Sequence, residues 1–153
     1  MIETIKMDLF DAPKEALIVH GTNCLGVWGS GIARLFRDKY PKAAEEYRSI
    51  CERDGKTLLG TGLIVNDSDR MIGCLFTSYA FGEGVDSIPE ILAASKTAII
   101  DMYELAHMFG IEDIYSNKFN SGLFGVPWYK TEGILLEISQ NYPEINWTVC
   151  DWP

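Results

Sequence analysis

The chain has 153 residues, 47% of them hydrophobic and 23% charged, with a formal net charge of −9 from 13 basic and 22 acidic side chains. That is enough chain to bury one full core, so a single domain over residues 1–153 is expected. The acidic balance argues against a protein that grips nucleic acid with its whole surface.

Residues Ile2 to Met7 alternate apolar and polar, which predicts a first strand with one face in the core. Asp8, Leu9, Phe10 and Asp11 lead out of it. A carboxylate at such an exit is usually a turn-former or a cap and less often a ligand contact. After a turn at Ala12-Pro13-Lys14, Glu15 to Val19 reads as a short buried strand. It empties into His20 to Phe36, HGTNCLGVWGSGIARLF, where Gly21, Gly26, Gly29 and Gly31 stand among Thr22, Asn23 and Ser30. Ile32, Leu35, Phe36 and Tyr40 then recur at helical spacing. A strand, a glycine-rich loop and a helix start together can hold an anion on free backbone N–H groups. The same glycines also serve a plain turn. Neither GxxxxGK[ST] nor a complete GxGxxG is present.

Pro41 breaks that helix before a second one, Lys42 to Arg53, with Ala44, Tyr47 and Cys51 on one face. A turn at Asp54-Gly55-Lys56 precedes two strands, Gly62 to Val65 and Ile72 to Thr77. Their short polar connection predicts an antiparallel hairpin. A loop carrying Glu83 and Asp86 follows. Ser87 and Glu90 form a capping box with Pro89 in the first turn. Ile91, Leu92, Ile99, Met102, Leu105 and Phe109 repeat at helical spacing up to a stop at Gly110. Ile111 to Tyr115 is a short strand opening into a second glycine-bearing loop, Ser116 to Trp128. A last helix, Trp128 to about Asn141, and a last strand, Ile145 to Cys150, complete the chain.

Strands alternating with helices, plus one hairpin, imply an α/β layered domain with a mixed sheet. Ligands of such sheets sit at the carboxyl ends of the strands, and both glycine loops follow strands directly. The two loops therefore read as a clamp on a diphosphate. Phe124, Trp28 and Phe10 either stack on a base or ribose or belong to the core. His20, Thr22, Asn23, Asp86, Lys118 and Asn120 are the polar groups near the loops. No Ser-His-Asp set, reactive-cysteine arrangement or carboxylate cluster stands out. The chemistry expected of an enzyme so equipped is acid–base hydrolysis by few groups and much positioning. Cys24, Cys51, Cys74 and Cys150 form no CxxC pair, and His20 and His107 are the only imidazoles. Reduced thiols in a cytoplasmic protein, with no metal and no cofactor, are the expectation. The N-terminus shows no signal-peptide pattern and no apolar run approaches a bilayer span, so no membrane partner is expected.

DLF at Asp8 to Phe10, TNCLGVWGSGIARLF at Thr22 to Phe36 and NSGLFGVPW at Asn120 to Trp128 resemble the macro domain, a module that binds ADP-ribose. The resemblance covers essentially the whole chain and is better still to the fungal-type branch of ADP-ribose 1″-phosphate phosphatases. It implies a three-layer α/β/α sandwich with a mixed, mostly parallel sheet. It further implies that the partner is a small-molecule ADP-ribose derivative. Under it, Asp8 accepts a hydrogen bond from the adenine amino group, Leu9 offers a backbone amide, and Phe10 adjoins them. Asn23, flanked by Thr22 and Cys24, holds the distal ribose hydroxyls. Val27, Trp28, Gly29, Ser30, Gly31 and Ile32 form the first phosphate loop. Ser121, Gly122, Leu123, Phe124, Gly125 and Val126 form the second, with Phe124 flanking the distal ribose.

Three positions depart from the family pattern. Met7 stands where a glycine commonly precedes the aspartate, and Val27-Trp28-Gly29-Ser30-Gly31 replaces a run of glycines. Phe124 stands where a branch that removes ADP-ribose from glutamate has a catalytic aspartate. These favour the hydrolysis of ADP-ribose 1″-phosphate to ADP-ribose and phosphate. An ADP-ribosyl hydrolase acting on modified macromolecules and a non-catalytic ADP-ribose reader are the rival readings. Asp86 is the candidate to orient or deprotonate the attacking water, its other role being N-terminal charge ahead of the Ser87 helix. Asn23, Lys118 and Asn120 complete the candidate catalytic set.

Overall fold

The apolar stretches pair into one six-stranded sheet in the computed structural model, which describes residues 1–152. Its strands are β1 (Ile2–Lys6), β2 (Leu17–Asn23), β3 (Gly62–Asp67), β4 (Arg70–Ser78), β5 (Asp113–Ser116) and β6 (Asn146–Asp151). They lie in the order β1-β6-β5-β2-β4-β3. All neighbours are parallel except the β3–β4 hairpin, which is antiparallel as expected.

The helices are α1 (Gly31–Lys39), α2 (Pro41–Asp54), α3 (Ile88–Met108) and α4 (Trp128–Ser139). Side chains alternate across β2, which divides the core. Leu17 and Val19 meet Ile99, Met102 and Tyr103 of α3 and Leu135 and Ile138 of α4 on one face. Ile18 meets Phe36 of α1 and Ala43, Tyr47 and Cys51 of α2 on the other. The result is the expected α/β/α sandwich with a mixed, mostly parallel sheet.

Several local expectations need correction. β1 does not bury a face: it is an edge strand paired only with β6, and Ile5 is 40% exposed. β2 does not end at Val19 but runs on to Asn23. Gly21 allows this, because a Cβ there would lie 3.3 Å from both Asn120 Oδ1 and Thr77 Oγ1, which close over it. On α1 the inward positions include Ala33 rather than Leu35, and on α2 the buried alanine is Ala43 rather than Ala44. The start of α2 is fixed from outside: Asp67 Oδ2 accepts from the amides of Lys42 (2.9 Å) and Ala43 (3.2 Å). The Ser87–Glu90 capping box is present, but Phe109 beyond the helix is exposed.

Candidate active site

β2, β4, β5, β6 and β1 are parallel, so the chain leaves all five at the same end of the sheet. Their exits surround a cavity of about 980 Å³. The sheet order gives it a direction, from Leu9 beyond β1 and Asp151–Trp152 at the end of β6, past the loops after β5 and β2, to Phe81–Glu83 beyond β4.

The first wall begins where the β2–β4 register slips between Thr22 and Asn23. Such a bulge re-aims the next side chain. Asn23 Oδ1 accepts from the amides of Leu25 (3.0 Å) and Val27 (3.3 Å), and its Nδ2 donates to the Val27 carbonyl (2.7 Å). Tyr47 Oη donates to the Asn23 carbonyl at 2.6 Å. Asn23 therefore folds the loop onto itself and keeps one Nδ2 hydrogen for the cavity it lines. Trp28 pins the loop from behind, stacked on Tyr47 with ring centroids 4.5 Å apart and edge-on to His20 at 4.9 Å. Ser30 does not cap α1 with its side chain. Among the described residues, the amides of Gly29, Ser30, Gly31, Ile32 and Ala33 donate to no protein group, and all five residues line the cavity. Gly31 enters the helix at φ +59°, a left-handed value that favours glycine.

The second wall is the β5–α4 loop. The Val126 amide donates to the Asn120 carbonyl (2.9 Å) and the Gly125 amide to the Gly122 carbonyl (3.0 Å). Among the described residues, the amides of Gly122, Leu123 and Phe124 donate to no protein group, and all three residues line the same cavity. Beneath them Asn120, at φ +70° and 5% exposed, is tied to three elements. Its Oδ1 accepts from Thr77 Oγ1 of β4 at 2.7 Å. Its Nδ2 donates to Ser95 Oγ of α3 (2.9 Å) and Thr131 Oγ1 of α4 (3.3 Å).

Four ionisable side chains line the cavity among the described residues: Glu83, Lys118, Cys150 and Asp151. Lys118 Nζ and Asp151 Oδ1 pair at 3.3 Å, each about one-third exposed. Burial pushes the Cys150 thiol up to about 11, so it stays protonated near neutral pH. Glu83 makes no ion pair or hydrogen bond among the described residues and sits on a 3-10 turn, Gly82–Gly84.

The expected site residues divide accordingly. Leu9, Thr22, Asn23, Val27, Trp28, Gly29, Ser30, Gly31, Ile32, Lys118, Ser121, Gly122, Leu123 and Phe124 converge on the cavity. Asp8 does not line it; its Oδ1 accepts from the Phe10 amide (2.9 Å) as the cap of a 3-10 turn. Phe10 is not a stacking platform, since its ring packs edge-on to Phe36 at 4.9 Å. Trp28 is a core residue whose edge reaches the cavity. Cys24 and Val126 are buried behind the loops, and Gly125 closes a turn away from the cavity.

Asp86 is not in the cavity either. Its oxygens accept from the amides of Tyr79 (2.8 Å) and Ala80 (3.3 Å), bracing the loop that carries Glu83. Asn120 lines the floor, but its amide is consumed by Thr77, Ser95 and Thr131, which leaves nothing to contact a departing phosphate. Phe81, Glu83, Asp151 and Trp152 also line the cavity and are not among the expected site residues. The strand-exit rule applied to β6 signals the last two; nothing local signals the partners of Asn120, which come from distant elements.

The macro domain family model matches residues 19–135. The chain belongs to the macro domain family. It is 38% identical over 148 residues to the ADP-ribose 1″-phosphate phosphatase of Candida albicans, covering 90% of this chain and 93% of that protein. It is 34% identical over 177 residues to the Aspergillus oryzae protein of the same name, covering 89% and 88%. Among solved structures, the macrodomain of Mycobacterium tuberculosis DarG superposes with a TM-score of 0.85 at 25% identity, covering 100% of this chain and 98% of that one. Within the macro domain fold, then, the described residues place two runs of free amides and one unpaired carboxylate around one cavity.

Proposed function

We propose that this chain is a single-domain cytoplasmic phosphatase that takes ADP-ribose 1″-phosphate into the cavity and releases inorganic phosphate and ADP-ribose. The observation that carries the reading is the pair of amide runs without protein partners, Gly29–Ala33 and Gly122–Phe124, on one cavity. Two loops so equipped hold phosphate oxygens without basic side chains, which suits a chain of net charge −9. The relatives that carry the phosphatase name match along nearly their whole length, which supports the same substrate here.

The substrate would lie along the direction of the sheet. Its adenine would rest at the β1 end near Asp8 and Leu9, and its diphosphate between the two loops. The distal ribose would sit beside Asn23 and Phe124, and the 1″-phosphate beyond Asn23 toward the β4 exit. Unpartnered amides stabilise charge as it builds on the transferring phosphate. The four free, buried thiols support a reducing compartment.

Calorimetry with ADP-ribose and a phosphate-release assay with ADP-ribose 1″-phosphate test the reading together. Saturable binding and release of one phosphate per substrate are expected. Tight binding with no release above buffer would leave a reader of ADP-ribose rather than a phosphatase.

A further inference from the structure

We propose that Glu83 is the catalytic carboxylate of this cavity, taking the proton of the attacking water, and that Asp86 positions it. The inference rests on the phosphatase reading and names the group that reading lacks. It follows from the state of each ionisable side chain in reach. Asp151 is held by Lys118 at 3.3 Å. His20, although next to the first loop, is fully buried and does not line the cavity. Asp86 spends both oxygens on the Tyr79 and Ala80 amides. Among the described residues, Glu83 is the one carboxylate that lines the cavity with no hydrogen-bond or ion-pair partner.

Its place agrees with the geometry. β4 is the strand outside β2, so Phe81–Glu83 lies beyond Asn23, at the end where the 1″-phosphate would project. The turn bearing Glu83 is anchored at its base: Asp86 clasps the chain at Tyr79–Ala80, the Asp86 amide donates to Ser78 Oγ (3.3 Å), and Ser78 Oγ donates to the Ala80 carbonyl (2.7 Å). A carboxylate beside an incoming phosphate opposes binding of the ground state. It gains its use only when it accepts a proton.

In the step, the water oxygen bonds to phosphorus while its proton passes to Glu83. The bond between phosphorus and the C1″ oxygen breaks, and that oxygen is protonated by the Glu83 carboxyl through solvent. The products are ADP-ribose and inorganic phosphate, and the carboxylate is restored.

The test compares wild type, Glu83→Gln and Glu83→Asp as full chains, measuring kcat and KM for ADP-ribose 1″-phosphate and the Kd of ADP-ribose. A general base contributes about 10²–10⁴-fold, so Glu83→Gln is expected to lose roughly that in kcat while KM holds or falls, because a charge facing the phosphate has gone. Glu83→Asp restores part of kcat, and the Kd of ADP-ribose stays within about twofold because the diphosphate loops are untouched. Wild-type turnover with Glu83→Gln within threefold of it, or a loss expressed entirely as a raised KM, overturns the role of Glu83 alone. Absence of turnover in the wild type, with ADP-ribose bound, overturns the phosphatase reading and this inference with it.

Discussion

Asn120→Ala should uncouple the second loop from the rest of the fold. The substitution removes the acceptor of Thr77 Oγ1 and the donor to Ser95 Oγ and Thr131 Oγ1, at a site only 5% exposed. Each lost buried hydrogen bond is worth about 1 kcal/mol, and a hydroxyl left without a partner costs about 1–3 kcal/mol. Alanine is also less tolerant than asparagine of φ +70°, which adds roughly 1 kcal/mol. A loss of about 3–5 kcal/mol is expected by urea denaturation. Since Asn120 lies directly before Ser121–Phe124, ADP-ribose should bind at least about tenfold more weakly, with AMP, which lacks the second phosphate and the distal ribose, affected less. Thr77→Val, which leaves Asn120 Oδ1 without its donor but keeps the loop residue, should cost about 1–3 kcal/mol. A change under about 1 kcal/mol for Asn120→Ala, with ADP-ribose affinity intact, would refute the anchoring role.

Burial holds the His20 imidazole down at about 3 against an ordinary 6.5. Between those values the unfolded chain binds a proton that the folded chain does not. Stability therefore falls as pH drops below about 6.5, by on the order of 1 kcal/mol per pH unit. His20→Phe, whose ring can keep the stack on Phe36, should flatten that acid limb in melts between pH 6 and 4; an unchanged slope would refute the assignment. A Cβ added at Gly31 meets nothing within 4 Å, so the cost of Gly31→Ala is conformational. About 1–2 kcal/mol is expected, with ADP-ribose affinity falling as the first-loop amides turn, both read in one ligand-dependent melting series. Asp86→Ala removes two hydrogen bonds to a carboxylate. It should cost about 2 kcal/mol and open Tyr79–Asp86 to limited proteolysis, whereas resistance equal to wild type would show that the brace is dispensable.

The layered fold is legible in the sequence because periodicity, capping and turn chemistry agree along most of the chain. Ser87 with Glu90 marks the start of α3, and the polar link between Val65 and Ile72 marks the hairpin. The convergence of the two glycine loops follows from both succeeding parallel strands. What periodicity does not carry is edge status: the alternation of Ile2 to Met7 predicts a buried face, and β1 exposes it. Nor does it carry contacts between distant elements. Asn120 looks like a ligand-facing amide in its loop, but Thr77, Ser95 and Thr131 turn it inward. Asp86 and Glu83 are three residues apart in one loop, and only the backbone path shows which is clasped and which is free. Trp28 has the flat ring of a stacking residue, yet Tyr47 and His20 enclose it.

If the two-loop cavity hydrolyses the phosphate ester, phosphate release from ADP-ribose 1″-phosphate by the full chain should respond to ADP-ribose titrated in as a competitor. Steady release that ADP-ribose inhibits competitively, with an inhibition constant equal to its calorimetric Kd, is the predicted result. No release, or release that saturating ADP-ribose leaves untouched, would contradict it.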